Sequence, residues 1–227
     1  MMKHAQRIDR WLLMVLILAT VAPPVLADDL YPPSWRGQPG TLTAGWDNWW
    51  GFPGPMSPDW WSQVPYSGQP GVNQPSAIAL GNSTRTHVEG NWYINQLAPI
   101  EFDLDNFDGA KPVKDVWFQL TYSVPNSFQA PRFMVTTPGG SFTTTGTFVT
   151  RIDLNPLDVY YTDVFTFQIQ PNPDWETIKL EIYDKRTGQP WYPAYVDQVV
   201  IDTRCFPEPA TLGLLAIGGW TLLRRRR

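Results

Sequence analysis

Glu101-Phe102-Asp103-Leu104-Asp105 sets three carboxylates at alternate positions. Alternate residues of a strand share a face, so the three would stand together, as in a glycosidase that holds one acid protonated and its neighbour ionised. An outward polar face of a half-buried strand accounts for the same alternation. Asp103, Asp105 and Asp108, the last just before Gly109, are also oxygen donors close enough to share a calcium ion, with Asp197 and Asp202 as additions from further along. The EF-hand spacing fails, because Lys114 stands where the loop's twelfth position needs an acid. What remains is an irregular calcium site or an acidic turn capping its own backbone, and the turn is the preferred reading.

Aromatics form the third set. Twelve tryptophans occur in the chain, ten of them between residues 28 and 206, although the strands supply enough Ile, Leu, Val and Phe to fill a core. Indole faces stack on sugar rings while their polar edges meet water, so an exposed set suits glycan binding. The candidates are Trp49, Trp50, Trp60, Trp61 and Trp117. In the two adjacent pairs neighbouring side chains diverge, so one of each pair can anchor while the other faces solvent. Packing is the competing account of all five. His4 and His87 are the only histidines and Cys205 the only cysteine, which argues against zinc sites and histidine triads. One cysteine closes no intramolecular disulfide, so stability comes from packing; Cys205 itself is an inert strand-end residue or a point for an intermolecular bridge or a lipid.

The elements that would position these residues are strands. Ile100, Phe102 and Leu104 alternate with the carboxylates, and Val116, Phe118, Leu120 and Tyr122 with Trp117, Gln119 and Thr121. The same period holds for Phe165, Phe167 and Ile169 and for Ile178, Leu180 and Ile182. Breakers such as Asp108-Gly109, Pro138-Gly139-Gly140 and Pro171-Asn172-Pro173 separate them. With further runs near Val88, Phe133, Phe148 and Val199, the spacing predicts about eight to ten strands, no helix, and an all-β antiparallel sandwich, jelly-roll-like rather than immunoglobulin-like. Leu30 to Ser76 differs, with nine Pro, seven Gly and six Trp. Pro and Gly exclude regular elements there, and the aromatics exclude disorder, so an ordered loop-like wrap packed on the domain is expected.

Both ends carry addresses. Lys3, Arg7 and Arg10 precede an apolar core, Trp11 to Val21, and Val25-Leu26-Ala27 offers a cleavage pattern, so residues 1–27 form a signal peptide helix. At the other end Pro207-Glu208-Pro209 leads into Ala210 to Leu223, a short apolar helix that stops at Arg224, Arg225, Arg226 and Arg227. Fourteen helical residues rise about 21 Å against a hydrocarbon core of roughly 30 Å, a marginal span held by an arginine stop on the cytoplasmic side. Between the signals lie ten basic and nineteen acidic residues, near −9. That acidity argues against nucleic acid and anionic membrane surfaces as partners.

The tail resembles the PEP-CTERM sorting signal: Pro207, Glu208 and Pro209, the apolar helix, then Arg224 to Arg227. The resemblance implies signal peptidase and an exosortase of a Gram-negative-type bacterium as partners, a transient inner-membrane anchor, and delivery to the cell surface or extracellular matrix. It makes a eukaryotic reading of the Asn82-Ser83-Thr84 glycosylation pattern out of place. Tyr31-Pro32-Pro33-Ser34-Trp35-Arg36-Gly37 is similar, more weakly, to the opening of other exported proteins with this tail. Glu101, Asp103 and Asp105 resemble the Glu-x-Asp-x-Glu signature of laminarinase-like hydrolases, with Asp105 departing from Glu at the acid/base position. Tyr195 to Asp202 looks like the last strand of jelly-roll carbohydrate-binding domains.

The expectation is therefore a signal peptide (1–27), a Pro/Gly/Trp-rich segment (28–76), a sandwich (77–206) and a sorting tail (207–227). Its function is that of an exported, non-catalytic surface or matrix protein needing no cofactor. The alternatives are a polysaccharide-binding module and a β-sandwich glycoside hydrolase.

Overall fold

A computed structural model of the protein describes residues 29–49, 54–79, 87–88, 91–94, 99–107, 112–123, 128–153, 160–189 and 194–206. The segments expected as signal peptide (1–27) and sorting tail (207–227) lie outside them, as do Trp50 and Asp108. The chain divides into two units, Met1–Leu30 and Tyr31–Arg227, and every strand lies in the second.

Thirteen strands are described: β1 Thr41–Trp46, β2 Trp60–Val64, β3 Ser76–Ala79, β4 His87–Val88, β5 Asn91–Ile94, β6 Ile100–Asp105, β7 Val113–Ser123, β8 Gln129–Thr137, β9 Gly140–Thr144, β10 Thr147–Asp153, β11 Tyr160–Ile169, β12 Trp175–Asp184 and β13 Ala194–Phe206. They form two sheets, ordered β10-β11-β7-β13-β1-β2, with β5 on β13 and β4 on β5, and β3-β6-β12-β8-β9. All pairings are antiparallel. The described residues are all-β, and the sheets bury one core between them. Phe102, Phe118 and Phe133 stand in it edge to face, with ring centroids 5.8 and 4.7 Å apart. Aromatic pairs prefer tilted geometry because ring edges are positive and faces negative.

The alternation read from the sequence is the one observed. On β6 the pattern is buried at Ile100, Phe102 and Leu104 and open at Glu101, Asp103 and Asp105. Phase also carries charged groups inward. Lys114 continues the Val116–Phe118 phase of β7, Asp163 the Phe165–Phe167 phase of β11, and Glu176 the Ile178–Leu180 phase of β12; all three are buried.

The Pro/Gly/Trp-rich segment departs from the expectation of a wholly loop-like wrap. Thr41–Trp46 pairs with β13 over six residues and with β2 over five, so it lies inside the larger sheet, with Leu42, Ala44 and Trp46 in the core. The prolines flank this run instead of interrupting it, and Gly45 is the one breaker inside it. Gly45 is where Trp60 crosses, and a Cβ there would meet the indole at 2.2 Å. Residues 31–36 do lie against the outer face of that sheet: Trp117 stacks on Tyr31 at 6.1 Å, Arg204 sits over Trp35 at 5.0 Å, and Arg36 makes a two-pronged pair with Asp202 at 2.6 Å.

Candidate ligand-binding cleft

At one end of the sandwich the sheets part around a cleft of about 390 Å³. The larger sheet gives it Tyr122, Phe148, Arg151, Asp163 and Phe165; the smaller gives Gln129 to Pro131 and Tyr183, with Thr145, Gly146 and Lys185 from turns. Phe148 pairs across the ladder with Phe165, 5.9 Å edge to face, and Phe165 meets Phe133 at 5.6 Å, so an aromatic wall runs from the core to the mouth. Its outermost ring, Phe148, is 54 % exposed. Gly146, at φ 66°, sits where a Cβ would come within 3.2 Å of Phe165 Cβ and 3.4 Å of the Thr166 carbonyl oxygen, and glycine alone takes that backbone without strain.

Beside these rings, on the same face of the larger sheet, the lining is polar and fixed. Arg151 donates through Nε and Nη2 to the two oxygens of Asp163 at 2.6 and 2.7 Å, and the buried Tyr122 hydroxyl donates to Asp163 at 2.9 Å. The Arg151 guanidinium also lies 3.7 Å over the Tyr161 ring, which meets Tyr122 edge-on at 4.8 Å. Burial, then the charge of Asp163, pushes the Tyr122 phenol well above its ordinary range, so it is a proton donor at any physiological pH. The hydrogen bond to Asp163 raises Arg151 likewise. A planar cation, a phenol, an exposed phenyl and the Lys185 ammonium thus converge on one opening. An apolar lining with a few placed polar groups is the usual composition of a small-molecule or sugar site.

The residues singled out from sequence fall elsewhere. Glu101, Asp103 and Asp105 point away from the core on the smaller sheet, and they line neither this cleft nor a second one of about 400 Å³ at the Pro138–Ser141 and Pro171–Asp174 turns. Asp103 accepts from Thr177 at 2.7 Å and Asp105 from Asn73. Burial, then the charge of Asp103, raises the Glu101 carboxyl, while Lys179 opposes. Asp202 is committed to Arg36 and Thr43, and Asp197 lends its carbonyl to Trp49 at 2.6 Å. Among the described residues no three His, Cys, Asp or Glu gather as a metal site. Cys205 is buried, its sulfur 3.6 Å from Asn172 Oδ1.

The tryptophans divide. Trp49 is fully buried and offers no platform, because its indole N–H is spent on the Asp197 carbonyl inside the fold. Trp60 and Trp61 are half-buried on opposite faces of β2, Trp60 over Gly45 and Trp61 against the core. Trp117 is half-buried under Tyr31, to whose carbonyl it donates at 3.0 Å. Trp175, 42 % exposed across from Asp105, is an indole that sequence reasoning passed over. The cleft was missed too, although Asp163 in the inward phase of β11 was its visible signal.

Neither a family model nor a curated protein matches the chain. Among solved structures it is similar to a carbohydrate-binding module, CBM35 from Cellvibrio japonicus Abf62, at 12 % identity over 57 % of this chain and 86 % of that one, with a TM-score of 0.31. The reading of the cleft rests on its own residues.

Proposed function

We propose that the chain is an exported, non-catalytic polysaccharide-binding protein, delivered to the cell surface or extracellular matrix by signal peptidase and an exosortase acting on the PEP-CTERM-like tail at Pro207 to Arg227. The observation that carries the binding reading is the cleft of about 390 Å³, where exposed Phe148 stands beside the Arg151–Asp163–Tyr122 network on the larger-sheet wall. The phenyl offers a face to a sugar ring, and Lys185, Thr145 and Arg151 offer donors to its hydroxyls. Asp163 spends both oxygens within the protein, so binding needs no metal ion. From β6 to β13 the chain crosses between the sheets at β6–β7, β7–β8, β9–β10, β11–β12 and β12–β13, with β8–β9 and β10–β11 as hairpins within a sheet, which supports a jelly-roll-like topology.

Affinity electrophoresis of the exported protein through gels of acidic and neutral bacterial polysaccharides, run with EGTA throughout, tests the reading. A polysaccharide that retards the wild type and releases Phe148→Ala, with melting unchanged because the ring is largely in solvent, is the expected outcome. Equal retardation of wild type and Phe148→Ala, or no retardation by any polysaccharide, refutes the cleft as a glycan site.

A further inference from the structure

At the other end of the sandwich the buried Lys114 and Glu176 meet the half-buried Asn106. Lys114 opens β7 and Glu176 opens β12; both side chains are wholly buried. Asn106 follows β6, with its backbone N–H held by the Asp174 carbonyl at 3.0 Å. Lys114 Nζ donates to Glu176 Oε1 and to Asn106 Oδ1. Asn106 Nδ2 in turn donates to Glu176 Oε2 at 2.6 Å and to the Pro173 carbonyl at 2.6 Å. Ile169 and Cys205 flank Lys114 in register on the neighbouring strands, and both are buried.

An ion pair alone needs only the lysine and the glutamate. Here the amide is the third member, and its orientation is specific: its carbonyl faces the amine, while its nitrogen lies on the carboxylate's other oxygen. One acid therefore bridges a nucleophile and a leaving group, and the reacting atoms are held in place by packing.

We propose that Lys114 and Asn106 join in an intramolecular amide bond, formed autocatalytically with Glu176 passing the protons. The Lys114 ammonium gives one proton to Glu176, and the neutral amine attacks Asn106 Cγ. Glu176 protonates the Asn106 nitrogen and takes the second proton from the attacking nitrogen. The bond from Cγ to Nδ2 then breaks, and ammonia leaves, collecting the proton from Glu176 as ammonium. One C–N bond forms and one breaks, with no oxidant or co-reactant. Burial, opposed by Lys114, raises the Glu176 carboxyl, which favours the proton transfer that frees the amine. The bond ties β7 of one sheet to the end of β6 in the other.

The test is the intact mass of the exported protein, denatured, from the cells that make it. The expected mass is that of the processed chain less one ammonia. Cleavage before aspartates separates residues 105–107 from residues 108–114, so a true cross-link leaves those peptides joined. Glu176→Gln, which keeps shape, should restore the full mass and release the two peptides. A wild type at full mass overturns the proposal, as does a chain one ammonia lighter whose peptides separate, the signature of succinimide at Asn106. A Glu176→Gln protein still cross-linked overturns the role of Glu176.

Discussion

Asp163→Leu is the sharpest perturbation of the cleft. Asp163 is 2 % exposed and accepts three hydrogen bonds, two from Arg151 and one from Tyr122. Leucine keeps the branched skeleton with greater bulk, so it removes all three and keeps water out. The Arg151 side chain is 45 % exposed and returns to solvent, so its share is about 0–1 kcal/mol. The Tyr122 hydroxyl has no such escape, and an orphaned buried donor costs about 1–3 kcal/mol. Together the loss is about 1–4 kcal/mol, which lowers the melting temperature of a domain this size by about 2–16 °C. Adding Tyr122→Phe deletes the orphan, so the double variant should be more stable than Asp163→Leu alone. Thermal unfolding followed by near-ultraviolet circular dichroism reads all four corners of the cycle. A single variant as stable as wild type, or a double variant no better than the single, refutes the account of Asp163 as anchor of the Tyr122 phenol.

Tyr122 also sets an alkaline limit. Its folded value lies above the ordinary 10.0, so its contribution is whole below 10 and lost as pH rises from there through the folded value; Tyr122→Phe should flatten that limb of the melting profile. Trp49→Ala, at a fully buried site, should cost about 3–5 kcal/mol by denaturant titration, whereas Trp175→Ala should cost under about 0.5; equal costs would contradict the burial pattern. Neutral residues in place of Arg224 to Arg227 should derange the membrane intermediate, and mass spectrometry of wild-type exported protein should find no chain ending at Arg227.

Strand phase was legible because one face of each sheet packs on the core, and period two then writes itself into Ile100–Asp105 and Trp175–Asp184. Thr41–Trp46 was hidden by its surroundings: averaging composition over residues 30–76 drowned six residues that pair on both sides. The outward carboxylates of β6 were correctly placed on one face, but a shared face is not a cavity, and which strand ends splay into a cleft is decided by sheet-to-sheet packing. The charged residues that matter most, Lys114, Asp163 and Glu176, broke the hydrophobic phase of their own strands. That violation was readable one strand at a time. Their partners were not, since Asn106 and Glu176 are 70 residues apart and Arg151 meets Asp163 across a hairpin.

β13 has a mechanical consequence. Along Thr41–Trp46 it is hydrogen-bonded to β1 on one side, and along Val113–Ser123 to β7 on the other. Its last described residue, Phe206, stands next to the Pro207-Glu208-Pro209 motif, so tension from a tethered C-terminus enters the domain through a central strand and not through an edge. Extracting that strand means sliding two ladders at once, with many bonds loaded in parallel, where an edge strand would unzip bond by bond. A domain pulled through β13 would resist from its interior outward.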